Sequence, residues 1–428
     1  MKAVEILLAR ASGADRVRPG DVVIANVDRV VLHDQMTYMT SGVHETRGPG
    51  TVRYPDRVWS VSDHNFAPAT LRQAEVIEHN RNWVRKHGLH LADCGSGQVH
   101  NVGSRVTGLG PGMVVVGDSH TSVHGAIGAF GVAIGNDSIA GTVLPYGKAW
   151  FQVPETILVE LSGRPPAGTT ARDVALWLGA AIGEGRARYA AVEFRGAYVE
   201  GLGFWDRWLF PLLGADIGAK SCFIWPDDVT RERVEAMGLP WLDDGDPLLR
   251  PADRSEYETV WTYDVSGIAP QVACPPTVGN LHDVDEVAGR PIQWAELGGH
   301  GGGRLEDIRM LAAVLTRHGK HPDVRVNVVP DSRETFQRAL DEGLVDALFR
   351  AGATWFPPST GSNQAVNMGA MTDREAMIST QSRNFPGRNG GAGASMYLAS
   401  ALTVAASAMT GRIADPRTLG AGLVAAFA

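Results

Sequence analysis

Short apolar runs alternate along the chain with segments of helical period. Met113 to Val116 is a β-branched run that stops at Gly117-Asp118-Ser119, ahead of a glycine-rich stretch from Ser122 predicted as helical. Val324 to Val329 reads as a buried strand, and Ser332 to Glu342 as the amphipathic helix behind it. Thr156 to Leu161 is a further strand-like run, and the alanine-rich Ala399 to Ala408 is predicted as a helix. Strands alternating with helices in this way predict layered α/β domains with parallel sheets. In such sheets ligands bind beyond the carboxyl ends of the strands.

With 428 residues the chain is long enough for two or three domains. The turn at Gly163-Arg164-Pro165-Pro166 and a Pro- and Gly-rich stretch from Ser266 to Asp285 divide it. The pattern predicts a first α/β domain over 1–163, a second over 164–265, a linker over 266–285 and a third α/β domain over 286–428. There is no internal repeat.

Composition narrows the function classes. Apolar residues make up 44% and charged ones 20%, the balance of a globular protein, and 51 glycines imply many tight turns. A net charge of -8 without a basic run gives no electrostatic footprint for nucleic acid. No stretch approaches the roughly 20 apolar residues of a membrane span, and Glu5 and Arg10 interrupt any signal-peptide core. A cytoplasmic protein with a small-molecule partner is expected. Cys94, Cys222 and Cys274 are odd in number and far apart, as expected of reduced thiols.

Three constellations carry candidate chemistry. Asp63-His64, His100 in GSGQVHN, and Asp118-Ser119-His120 place histidines beside acidic or small polar residues at predicted strand ends. A carboxylate fixes the tautomer of an imidazole and stabilises its cation, which suits proton transfer near neutral pH. Neutral imidazoles bind metals equally well, and the competing reading makes Asp118 or Ser119 a helix cap and the histidines hydrogen-bonded core residues. Arg383 and Arg388 lie in a glycine-flanked turn, RNFPGRNGG, where two guanidinium forks would grip a carboxylate or lie solvated on a surface loop. The run Gly298-Gly299-His300-Gly301-Gly302-Gly303-Arg304 enters a helix, and its amides would cradle an anion beside His300. It ends in neither the Lys-Ser/Thr of a P-loop nor a dinucleotide fingerprint.

Taken in order, these segments resemble the aconitase superfamily, specifically the large subunit of 3-isopropylmalate dehydratase and homoaconitase. The resemblance runs from ILLARASGADRVRPGDVVIANVDRVVLHD through SDHN, GSGQVHNV and PGMVVVGDSHTSVHGAIGAFGVAIG. It continues through LLGADIGAK, PQVACPPTVGN, GGRLEDIRMLA and SRNFPGRNGGAGASMYLASALTVAASAMTG, essentially the whole chain. It implies three α/β domains around a central cleft, without the small swivelling fourth domain. It also implies that a catalytic serine and another substrate-binding arginine come from that small domain, which would be a separate subunit.

Position by position, the resemblance makes His33 a substrate-side residue and Asp63-His64 an acid/base pair. It pairs His100 with Asp118 and His120 with Asp216, where a glutamate is expected. It places Ser119 at the substrate, and Arg383 and Arg388 on substrate carboxylates. The family holds a [4Fe–4S] cluster on three cysteines. Here His300, Thr360 and Asn363 stand at those positions, and Ser382 replaces an asparagine before Arg383. Oxygen and amide groups do not replace thiolates on iron–sulfur, so no [4Fe–4S] cluster is expected. Thr360, Asn363 and Ser382 are then expected on the substrate side.

The expectation is therefore a cluster-independent lyase of aconitase fold, adding or removing water from a small di- or tricarboxylate or a derivative through its His/Asp pairs. One alternative is a hydrolase or enolate-type isomerase with a mononuclear Zn²⁺ or Fe²⁺ at His300, shared with His64, His100, His120 or Asp118. Another needs no metal, and a third is a non-catalytic large subunit or ligand-binding protein.

Overall fold

The computed structural model describes residues 1–362, 367 and 369–427. Five parallel strands form the first sheet, in the order His90–Ala92, Val58–Val61, Arg29–His33, Val114–Gly117, Phe130–Ala133. The central run Val114–Gly117 is buried along its whole length, as a parallel strand covered on both faces must be. Gly117 ends it where a Cβ would strike the Val31 carbonyl. A short antiparallel ribbon, Val22–Asn26 with Lys148–Gln152, flanks this sheet.

Four parallel strands form the second sheet, in the order Ser221–Phe223, Ala191–Arg195, Thr156–Ser162, Thr259–Asp264. The run Thr156–Ser162, placed by sequence in the first domain, belongs here, so the boundary at 163 falls one strand too late. A strand's apolar pattern shows that it is buried but not which sheet buries it. The first two sheets share their cores: Val31, Val61 and Val115 pack in one cluster with Val159, Phe194 and Trp208.

The third sheet has seven strands, in the order Leu281–Asp283, Gln271–Ala273, Ser395–Ala399, Ala376–Ser379, Trp294–Leu297, Arg325–Val328, Thr354–Trp355. The last five are parallel, and the first two add an antiparallel edge. The stretch 266–285 is thus not a plain linker, because two of its short segments are strands, Leu281–Asp283 at the edge and Gln271–Ala273 next to it. Its Pro-rich composition reflects the turn between them. Val324–Val329 and Ser332–Glu342 appear as the strand Arg325–Val328 and the helix Arg333–Asp341, capped by Ser332.

The third sheet keeps its own core, from Val272 to Val424, and meets the others through polar contacts. Gln98 and Arg333 donate backbone hydrogen bonds to Asp331 and Ser96, and Arg105 pairs with Asp331 and Glu334. Arg304, at the head of the helix Leu305–His318, reaches Asp206 of the second unit at 2.7 Å. No helix among the described residues is long and apolar enough to cross a membrane.

Candidate active site

The first and third sheets turn the carboxyl ends of their parallel strands toward one space. From the first come His33, which ends its strand, Asp63-His64, and Asp118-Ser119-His120, with His100 in the first turn of the helix Val99–Val106. From the third come His300, Thr360 and the Ser382–Arg388 turn, each following a parallel strand. His300 lies 5.3 Å, 5.4 Å and 6.0 Å, ring to ring, from His120, His100 and His64. Residues more than 200 positions apart thereby form a single cluster of buried imidazoles.

Two left-handed glycines flank His300. Gly299 has φ 77° and Gly301 φ 87°. A Cβ at 299 would strike Gln381, and one at 301 would strike Arg172 and Leu212. Glycine is required on both sides, and the imidazole is the only side chain the apex of this turn presents.

The histidines divide by their partners. His64 Nδ1 meets Asp63 Oδ1 at 2.9 Å, and the other Asp63 oxygen accepts from the Val99 amide at 2.8 Å. Burial alone would lower the His64 pKa. Asp63, with Asp34 and Asp118 beyond it, outweighs that and raises it to about 9. Asn367 donates to the His64 carbonyl.

His100 Nε2 and His33 Nε2 face Asp118 Oδ2 at 3.6 Å and 3.9 Å, while Asp118 Oδ1 accepts from the Ser119 amide. Burial works to raise the Asp118 carboxyl, but the contact with His100 and the charges of His33, His100 and His120 hold it well below the usual range. Among the described residues, neither His120 nor His300 has a carboxylate within ion-pair distance, although Asp118 lies within 4.8 Å of His120. Burial holds His120 well below its ordinary pKa, aided by Arg383 and His100. Burial does the same for His300, aided by His120, His100 and His64.

Asp216 does not pair with His120. It lies against Arg383 Nε at 3.5 Å, and burial raises its pKa against the pull of that guanidinium. Aspartate there pairs with Arg383. Arg388 is buried over the Phe385 ring, and burial beside Arg383 lowers its pKa to about 10. Ser119 is exposed, and its Oγ lies 3.4 Å from His120 Nδ1. Ser382 is buried, with no hydroxyl partner among the described residues. Thr360 donates its hydroxyl to the Asp63 carbonyl at 3.1 Å, which fastens the two walls together. Asn363 lies outside the described residues.

Among the described residues two groupings have metal-ligand spacing, His33–Asp34–His64 and His100–Asp118–His120, and His300 stands in neither. Neither turn at the cluster position holds a thiolate, and Cys94, Cys222 and Cys274 belong to no such grouping among the described residues. This donor set does not fit a cluster bound by three cysteines.

Sequence reasoning missed several residues. Asp34 follows His33 directly, a pairing like Asp63-His64 that adjacency alone reveals. Glu296 is fully buried within a strand, its carboxylate held by Gln381 Nε2 at 2.6 Å and the Ser362 amide at 3.3 Å, and burial raises its pKa. An acid inside the apolar run WAEL was the signal. Arg172 is buried behind Gly301 and donates to the Gln381 carbonyl; burial beside Arg304 lowers its pKa to about 10.

A cavity of about 320 Å³ opens beside Asp216 and Arg383, walled by Leu213, Val278 and Phe385. A larger one, about 600 Å³, lies at the second sheet beside Trp225 and Trp241 and contains none of the clustered histidines. The convergence of titratable groups, not cavity size, locates the chemistry.

The family described as "Aconitase family (aconitate hydratase)" matches residues 10–295 and 282–411. The chain is 38% identical to 3-isopropylmalate dehydratase large subunit 1 of Methanopyrus kandleri, over 96% of this chain and 98% of that one. It is 35% identical to the probable methanogen homoaconitase large subunit of Methanothermobacter thermautotrophicus, over 97% and 98%. The solved holo-form of Thermococcus kodakaraensis aconitase X is 15% identical with a TM-score of 0.48, over 89% of this chain and 88% of that one. With matches of this extent across nearly its whole length, the chain belongs to the aconitase family.

Proposed function

We propose that this chain is the large subunit of a lyase that adds water to, or removes it from, a small di- or tricarboxylate. The observation that carries this reading is the buried Asp63–His64 pair at the strand ends, facing a wall that bears Arg383 and Arg388. His64, kept protonated by Asp63, gives its proton to the departing hydroxyl, and in hydration takes one from water. The arginine forks hold the carboxylates and align the carbon–oxygen bond with the imidazole. The dehydratase and homoaconitase names of the relatives support the reaction class, and their designation as large subunits supports a separate small subunit. That subunit would supply the base for the carbon-bound proton. We infer that the reaction proceeds without a [4Fe–4S] cluster, a reading supported by His300 and Thr360 in the two turns.

Ultraviolet absorbance tests the reaction, since hydration removes a conjugated alkene. Unsaturated di- and tricarboxylates are offered to the chain alone and to the chain with a small subunit co-purified from its source. The expected result is an absorbance change that needs the complex and is lost in His64→Ala. No change in either setting overturns the lyase reading, and activity of the chain alone overturns the two-subunit reading.

A further inference from the structure

We propose that His100, Asp118 and His120 form a binding site for one divalent transition-metal ion, zinc or ferrous iron, whose open side faces His300. The proposal goes beyond the reaction assigned above and does not depend on it.

The three side chains offer ligand atoms that all lie within 4.8 Å of one another. His100 Nε2 and Asp118 Oδ2 are 3.6 Å apart. Metal–ligand bonds of about 2.0–2.1 Å place neighbouring donors of a tetrahedral site about 3.3 Å apart, so small side-chain rotations close this set. Two imidazoles and one carboxylate with open positions form the donor set of mononuclear zinc and non-haem iron sites.

The second observation is independent of spacing. His120 Nε2 is buried and has no hydrogen-bond partner among the described residues, the same holds for His300 Nε2 beside it, and His100 Nε2 has only the 3.6 Å approach of Asp118 Oδ2. The His100 and His120 side chains are no more than 2% exposed. Buried polar atoms are nearly always satisfied, and several aimed into one space point to a ligand they would share. Asp118 is oriented for this: Ser119 occupies one carboxylate oxygen and the other points at the histidines.

The neighbouring group His33–Asp34–His64 has similar spacing but its atoms are engaged. The Asp34 oxygens accept from the Gln35 and Asn65 amides. His33 Nδ1 accepts from the Met36 amide, and His64 Nδ1 is bonded to Asp63. A cation drawn to this cleft therefore settles at Asp118.

Metal content and Co²⁺ absorption test this without any substrate. The full chain, stripped with a chelator, is reloaded with Zn²⁺, Fe²⁺ or Co²⁺, and bound metal and acid-labile sulfide are counted per chain. A single equivalent without sulfide is expected, with visible d–d absorption of a low-coordinate Co²⁺. His100→Gln, Asp118→Asn and His120→Gln each abolish it, whereas His33→Gln and His300→Asn retain the full equivalent. Circular dichroism before reloading identifies any variant that has unfolded, in which case the Co²⁺ titration of the unsubstituted chain decides. No binding by that chain, retention in all three ligand variants, loss in His300→Asn, or several irons with sulfide each overturn the assignment. Metal binding without absorbance change on unsaturated acids sinks the lyase reading and leaves the site standing; the reverse result does the opposite.

Discussion

On the wall built by the first sheet, His64 is buried against Asp63 and its pKa rises to about 9. On the facing wall, 6.0 Å away, His300 is equally buried and its pKa falls well below the ordinary value. The two imidazoles share one cleft and nearly the same solvent exclusion, so burial cannot explain the difference. A single carboxylate within hydrogen-bond reach decides it. His64 on the first wall is placed to hold a proton, and His300 at the apex of the second to offer a neutral lone pair. Facing the cleft, the third-sheet wall carries Arg383 and Arg388, the two cations that the proposed function uses to anchor an anionic substrate.

The sharpest way to break this contrast is Asp63→Asn. Without the carboxylate His64 becomes a second His300, and kcat in the absorbance assay falls by about 10²–10⁴-fold, the usual worth of a positioned acid. A fall of that size in His300→Asn but not in Asp63→Asn would reverse the roles of the walls. The pH dependence of stability reads the same contrast. In the metal-free protein the folded pKa of His64 stands above its ordinary 6.5. Its stabilising contribution, roughly 3 kcal/mol at 1.36 kcal/mol per tenfold proton affinity, is complete below about pH 6.5 and lost as pH rises through about 9. Denaturant titrations across that window are expected to show the loss, and Asp63→Asn to remove it.

Arg388→Ala removes a buried charged donor and raises KM by about 10–100-fold, from 1.5–3 kcal/mol per charged hydrogen bond. Arg383→Ala, at a half-exposed site shared with Asp216, raises it less, and equal effects would make the two arginines equivalent. Gly301→Ala places a side chain at φ 87° against Arg172 and costs about 1–3 kcal/mol in denaturant unfolding. The smallest effect is Glu296→Gln, about 1 kcal/mol, because the amide retains the shape and an acceptor for Ser362 while Gln381 turns its own amide over to accept from the new NH2; Glu296→Leu orphans both Gln381 and the Ser362 amide and costs about 1–3 kcal/mol.

Much of this was legible in the chain itself. The Asp63-His64 and Asp118-Ser119-His120 segments, the GGHGGGR turn and RNFPGR announce their residue types, and strand–helix alternation puts them at strand ends. What sequence does not carry is which neighbour a side chain meets. The family resemblance pairs Asp216 with His120, yet Arg383 stands nearer and takes it. The strand Thr156–Ser162 went to the wrong sheet for the same reason, since pairing is a long-range property. Glu296 passed unnoticed because an isolated acid in a strand is ordinarily solvent-facing, and only the packed sheet shows that this one is enclosed.

The glycines on either side of His300 bear on how such a site changes over generations. The contour of that loop is dictated by Gly299 and Gly301 and by the Gln381 and Arg172 side chains crowding them. Residue 300 is therefore a socket whose shape is maintained by its surroundings, and a single codon change there exchanges the group presented to the cleft without rebuilding the loop. Descendants of one ancestral scaffold can in this way acquire different chemistry while the packing that supports it stays under the same constraint.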